Sequence, residues 1–142
     1  MNIASPRSLS ELWTAFEKMP DASLLAGGTD LLVKMRAGLC APSSILLLER
    51  VPELKGLAEV DDSIRIGACS THTQILESDL VRAHIPILAR AVRCLGSPPV
   101  RNMGAIGGNI CTASPAGDTL PPLYVLGAEI EVLSSTEKRR VP

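Results

Sequence analysis

Residues 96–122 read GSPPVRNMGAIGGNICTASPAGDTLPP, with five glycines and five prolines in 27 residues and almost no hydrophobic periodicity. A stretch of this length without regular structure inside a compact domain is functional or disordered. The buried-type residues Val100, Met103, Ile106 and Ile110 within it favour the functional reading. A second glycine segment lies upstream, where residues 24–36 read LLAGGTDLLVKMR. The apolar run Ser23-Leu24-Leu25-Ala26 reads as a strand that breaks at Gly27-Gly28. Thr29 or Asp30 can then cap a helix carrying Leu31, Leu32, Val33 and Met35 and ending near Gly38. A strand running through two glycines into a helix start presents consecutive backbone N–H groups with no side chain in the way, and the helix dipole favours an anion there. The spacing is neither a P-loop nor a Gly-x-Gly-x-x-Gly fingerprint. A tight strand-to-helix turn with Asp30 as a simple cap fits the same residues.

Working outward, Ser8 and Glu11 form a Ser-x-x-Glu capping box for a helix over 8–18, with Leu9, Leu12, Trp13 and Phe16 on one face, and Met19-Pro20 stops it. Ile45 to Leu48 is a continuous apolar run and reads as a buried strand. Residues 1–52 therefore form a helix-strand-helix-strand unit, with a joint near Pro52. Leu57–Val60 and Ile64–Gly67 flank Asp61-Asp62-Ser63, a hairpin composition. Thr71-x-x-Gln74 is a second capping box, for a helix with Ile75 and Leu76. Pro86 to Leu95 reads as a helix with a proline in its first turn. A short helix over 119–126 behind an Asp118 cap, a strand over 128–133 and a return strand that only begins at Arg139-Arg140-Val141 complete the chain.

The chain has 142 residues, 46% hydrophobic and 20% charged, which suits one domain or two small subdomains sharing a core and excludes a disordered chain. With 14 basic and 15 acidic residues the net charge is -1, and aromatics are 2%. Neither a nucleic-acid backbone nor an aromatic stacking platform for single strands is served by that balance. Cys40, Cys69, Cys94 and Cys111 contain no Cys-x-x-Cys pair, so no zinc or iron–sulfur ligand set is expected. The start MNIASPRSLSELW has no apolar leader and no run spans a membrane, so we expect a cytoplasmic protein with free thiols. Cys111, inside the long stretch, is the one thiol that could face a ligand, although a small buried filler is the expected reading. His72 and His84 are expected at the surface or at caps, since neither has an orienting partner for base catalysis.

In the long stretch Gly107-Gly108 permits a close backbone approach, Asn109, Thr112 and Ser114 supply neutral donors, and Asp118 can accept from a ribose or ribityl hydroxyl. Two glycine loops with such side chains suit a pyrophosphate flanked by sugar-like chains; a structured loop satisfying its own backbone fits as well. Arg101 is the only cation close by in sequence. No nucleophile arrangement appears, so a cofactor would carry any chemistry.

LLAGGTDLLVKMR, IRIGACSTHTQI and SPPVRNMGAIGGNICTASPAGDTLPPLYVLGAEIEV together resemble the FAD-binding domain of the molybdenum hydroxylases, the medium subunit of xanthine dehydrogenase, carbon monoxide dehydrogenase and 4-hydroxybenzoyl-CoA reductase type enzymes. The resemblance covers nearly the whole chain. It implies an α+β fold, the vanillyl-alcohol-oxidase-like (PCMH-type) FAD-binding domain, with FAD between two α/β subdomains. These would be residues 1–52, with the first glycine loop, and residues 53–142, with the second. Because family members continue further, the second subdomain is expected to be incomplete and truncated at its C-terminus.

Matched residue by residue, Ala26, Gly27, Gly28, Thr29 and Asp30 would hold the pyrophosphate, and Ala105, Ile106, Gly107, Gly108 and Asn109 would form the second loop, beside the flavin. Ser114 and Asp118 would contact the ribityl and phosphate part, and Leu95 and Ile106 would flank the isoalloxazine. The implied role is that of an FAD-dependent oxidoreductase subunit. It would take electrons from a 2Fe-2S small subunit, reduced by a molybdopterin-containing large subunit, and pass them to NAD+ or another acceptor. No catalytic side chain, metal ligand or nucleic-acid partner is expected in this chain. Two alternatives are a stand-alone flavin reductase of the same fold, like the one acting on UDP-N-acetylenolpyruvoylglucosamine, and an interaction module without cofactor.

Overall fold

The computed structural model describes residues 1–142 and opens with a strand that periodicity does not reveal, β1 (Asn2–Ala4). It is followed by α1 (Leu9–Lys18), β2 (Ser23–Leu25), α2 (Leu31–Arg36) and β3 (Ser44–Leu47). The three strands form one parallel sheet in the order β1-β3-β2, with Ile3 and Ser23 both opposite Ile45. The central strand is the most buried, with Ile45 at 3% and Leu46 at 0% exposure. This is why its sequence is continuously apolar and not alternating. α1 starts with the expected Ser8 cap, Ser8 Oγ accepting from Glu11 N at 3.1 Å, but the box is not completed, because Glu11 Oε2 accepts from Arg7 N and not from Ser8 N. Asp30 occupies the N-cap position of α2, but its backbone is already helical and its side chain makes no capping bond, which corrects the capping expectation for Thr29 or Asp30.

A 3-10 turn at Pro52–Leu54 leads to the hairpin β4 (Leu57–Val60) and β5 (Ser63–Ile66). Then come α3 (His72–Glu77), α4 (Asp79–His84) and α5 (Pro86–Cys94). The capping box of α3 is complete, Thr71 N donating to Gln74 Oε1 at 2.8 Å and Gln74 N to Thr71 Oγ1 at 3.2 Å. The expectation of irregular structure over 96–122 is corrected: this stretch contains α6 (Pro98–Met103), α7 (Ile106–Thr112) and the start of α8 (Leu120–Val125). Each is six or seven residues long, too short to display a 3.6-residue period, and the prolines of α6 and α8 sit in the first turn, where a missing N–H breaks no helical bond. Asp118 is not the cap of α8; Thr119 holds that position, with no side-chain cap bond.

The chain ends with the hairpin β6 (Ile130–Leu133) and β7 (Lys138–Val141), paired over four residues from Ile130↔Val141 to Leu133↔Lys138. The return strand is therefore formed. Glu131 ties this hairpin to the other one: Lys138 Nζ lies 2.7 Å and Arg65 Nη2 3.1 Å from its carboxylate. The hydrogen bond from Lys138 holds the Glu131 carboxyl below its ordinary range, with Arg65 and Arg140 adding to the effect. No helix is long and apolar enough to cross a membrane.

Ile75, Val81, Leu88, Ala89, Val92 and Ile106 form the central core cluster, drawn from α3, α4, α5 and α7. α7, with two glycines in its first turn, thus joins the core through Ile106 at 4% exposure. Leu88 is completely buried at its centre. Leu88→Ala should lower the unfolding free energy by about 2–5 kcal/mol, read from the urea midpoint.

Candidate functional site

Six consecutive residues, Gly67 to His72, form a strip between the turn after β3 and the start of α7, with a turn at Ala68-Cys69 closed by Ser70 N donating to Gly67 O at 2.9 Å. Gly67 N donates to Gly56 O at 2.8 Å and Cys69 N to Leu54 O at 2.7 Å on one side. On the other side Ala68 O accepts from Gly107 N at 2.8 Å, Ser70 O accepts from Ile106 N at 3.0 Å, and His72 N donates to Gly104 O at 3.0 Å. A strip of small residues allows both approaches: a Cβ on Gly67 would lie 2.5 Å from Leu54 O, and one on Gly107 would lie 2.8 Å from both Cβ and O of Ala68. The second glycine loop is thus pinned by its own backbone, and the N–H groups of Ile106 and Gly107 are occupied within the protein. Asn109 N donates to Ala105 O.

Gly108 differs. It is exposed, its N–H donates to no group of the protein, and a Cβ built on it would meet nothing within 4 Å. The first loop is likewise open: none of the N–H groups of Gly27, Gly28, Thr29, Asp30 and Leu31 donates within the protein. Five adjacent free donors are costly to bury but suited to an anion with several oxygens. Gly28 also needs its glycine, with φ at +72°.

The two loops touch. A Cβ on Gly27 would lie 1.7 Å from Met103 O, so these backbones are in direct contact, and Thr29 Oγ1 packs against Gly104. Asp30 Oδ2 accepts from Thr112 Oγ1 at 3.2 Å and pairs with Lys34 Nζ at 2.7 Å. The fold therefore brings Gly27, Thr29 and Asp30 to the second loop. It does not bring Ser114 or Asp118 into a bond with the first loop: Ser114 Oγ accepts from Ala116 N at 3.2 Å, while the exposed Asp118 carboxylate has no protein partner. Asn109 Oδ1 accepts from the Thr119 hydroxyl, which fixes that side chain. Leu95 and Ile106 are buried to 8% and 4% exposure, Ile106 within the central core cluster, so neither presents an open apolar wall.

Two expectations are corrected, those for Cys111 and His72, and the cation beside the second loop is already engaged. Arg101 is not a free cation: its Nη1 donates to Leu95 O and Gly96 O, both at 2.9 Å, closing the end of α5. Cys111 is exposed and not a buried filler. His72 is not on the surface but buried to 2%, with Nδ1 lacking a hydrogen-bond partner. The roles of the strip, of the Met103 carbonyl and of Lys34 were missed, since they depend on partners distant in sequence. The one local signal was the run of small residues in Gly67-Ala68-Cys69-Ser70.

The family described as FAD binding domain in molybdopterin dehydrogenase matches residues 1–142. The chain belongs to this family. The chain is 35% identical over 124 residues to the xanthine dehydrogenase FAD-binding subunit of Escherichia coli, covering 87% of this chain and 42% of that one. It is 35% identical over 138 residues to the nicotine 6-hydroxylase medium subunit of Paenarthrobacter nicotinovorans, covering 97% and 49%. Among solved structures, carbon monoxide dehydrogenase from Hydrogenophaga pseudoflava matches with a TM-score of 0.95 and 31% identity, over 100% of this chain and 50% of that one. The chain thus spans half or less of the relatives it matches. Its fold is the α+β FAD-binding fold that the resemblance implied, FAD is the cofactor that the family description names, and neither alternative class is favoured.

His72 supports the loop junction from below, packed within 3.1 Å of the Cβ position of Gly104. Burial pushes its pKa below the ordinary value, so the folded state resists protonation. A depressed folded value gives stability that is present above the unfolded pKa near 6.5 and is lost as pH falls below it. The urea midpoint of the protein should therefore drop between about pH 7 and pH 5 more steeply than that of His72→Leu, in which this dependence disappears.

Proposed function

We propose that this chain binds FAD across the junction of its two glycine loops, and that it is the FAD-holding part of an electron-transfer subunit. The observation that carries this reading is Gly108. Glycine in a helix costs roughly 0.5–1 kcal/mol relative to alanine, and no atom of the protein requires one at this position. A group outside the chain approaching the backbone closely accounts for it. The Gly27–Leu31 segment, with its unpaired N–H groups, would hold the pyrophosphate together with Ala26, and Gly108 would donate from the second loop. Ala105, Ile106, Gly107 and Asn109 would set that loop's shape.

Asp118, exposed and without a partner, would accept from a ribityl or ribose hydroxyl, with Ser114 beside it. Leu95 and Ile106 would support the ring from the core. Residues 1–52 and 53–142 are the two subdomains of this reading, each contributing one loop. Bound flavin supplies the capacity to accept and release electrons; the chain's own residues bind it, orient it and neutralise its phosphates through backbone dipoles. The donor would be a 2Fe-2S subunit served by a molybdopterin-containing subunit, as in the enzymes of this family, with NAD+ or another carrier as acceptor and the cytoplasm as the setting. The family membership supports this assignment.

The purified protein should show a flavin absorption spectrum, or develop one on adding FAD; a protein that stays colourless and leaves added FAD free would sink the reading. The glycines separate binding from folding. Gly108→Ala should raise the unfolding free energy by about 0.5–1 kcal/mol and weaken FAD binding about tenfold or more. Gly107→Ala, which meets Ala68, should instead lower stability by about 1–3 kcal/mol. Fluorescence titration and urea unfolding measure the two effects independently.

A further inference from the structure

The seam between the two glycine loops is almost entirely steric. Gly27 lies against Met103 and Thr29 against Gly104. Contacts of this kind oppose compression strongly, but their dispersion attraction is weak and undirected and does not by itself fix a separation. One polar contact does: Thr112 Oγ1 to Asp30 Oδ2 at 3.2 Å, across 82 residues of sequence. It is the only side-chain to side-chain hydrogen bond crossing from residues 1–52 to residues 53–142. No salt bridge crosses there either.

The placement of both partners is constrained. Thr112 is the last residue of α7, followed by Ala113 in the left-handed conformation with φ at +47°, so its backbone cannot simply extend the helix. Asp30 stands at the start of α2, and the same oxygen that receives the Thr112 hydroxyl is 2.7 Å from Lys34 Nζ. A carboxylate beside N–H groups intended for a polyanion would repel that anion. Here its charge is compensated by Lys34, and one oxygen is committed to α7.

We propose that the side chains of Asp30 and Thr112 form a latch that holds the two glycine loops at the separation needed for the cofactor, so that both side chains position the loops and the Asp30 carboxylate does not touch the cofactor. This rests on the FAD reading above and deepens it. The latch works through distance: five donors on one loop and the Gly108 N–H on the other can bind one ligand together only if the seam is closed. Opening the seam leaves each half of the donor set intact but separated.

The test uses the purified protein with Thr112→Val, which keeps the shape and removes the hydroxyl, Thr112→Ser, which keeps the hydroxyl, Asp30→Ala, and the double variant Asp30→Ala/Thr112→Val. FAD affinity should fall about tenfold in Thr112→Val and return close to the parent value in Thr112→Ser. The double variant should bind no more weakly than the worse single one, because both remove the same contact. Additive losses would mean that Asp30 meets the cofactor directly, and an unchanged affinity in Thr112→Val would mean that sterics alone close the seam; either result overturns the latch.

Amide exchange without FAD separates this proposal from the binding reading. The Lys34 amide in α2, bonded to Asp30 O, and the Ala113 amide at the end of α7, bonded to Ile110 O, lie in the two turns that the latch joins, and should exchange faster together in Thr112→Val and not in Thr112→Ser. If they do so in a protein that fails to bind FAD, the binding reading falls and the latch stands; if they do not, the latch falls.

Discussion

The strip from Gly67 to His72 is the constraint on which the site depends. Gly67 and Cys69 bond to the turn after β3, while Ala68, Ser70 and His72 bond to the second glycine loop. One short segment, folded through a turn at Ala68-Cys69, thus holds two neighbours without a regular ladder. Buried backbone groups require partners, and here the same six residues supply them to both neighbours. If the strip shifted by one residue, the N–H groups of Ile106 and Gly107 would lose the Ser70 and Ala68 carbonyls that hold them.

The strip also divides the labour of the glycines. Gly67 and Gly107 are required because any Cβ would meet backbone or the Ala68 side chain, and Gly27 because it lies on the Met103 carbonyl. These positions build the site without forming its surface. The N–H groups of Ala105, of Gly108 and of the first loop are what remains once internal hydrogen bonds have been assigned. A glycine-rich segment is therefore not uniformly a ligand site: in the second loop most donors hold the fold together, and most of the free donors lie in the first.

Much of the local structure was legible. The caps at Ser8 and Thr71 act within three residues, so sequence spacing is enough to identify them. The apolar run of β3 reflects burial on both faces, and the hairpin turn at Asp61 forms where its composition indicated. The short helices α6 and α7 were not legible, because a helix of six or seven residues packed on a core gains its stability from tertiary contacts and not from a repeat. β1 was missed for a similar reason, since three residues become a strand only when β3 lies alongside.

Side-chain roles divided along the same line. His72, Arg101 and Asp30 are a polar core residue, a helix-end clamp and an inter-loop partner, none of which their neighbours in sequence announce. By itself the sequence determined the glycine loops, the starts of α1 and α3 and the family, because these are carried by residue type and short spacing. Only the tertiary structure decided which N–H groups are already occupied and which are free. That depends on where distant carbonyls come to lie when the chain closes, and the Ala68 and Ser70 carbonyls, more than thirty residues before the loop they bind, carry no mark of it in the sequence.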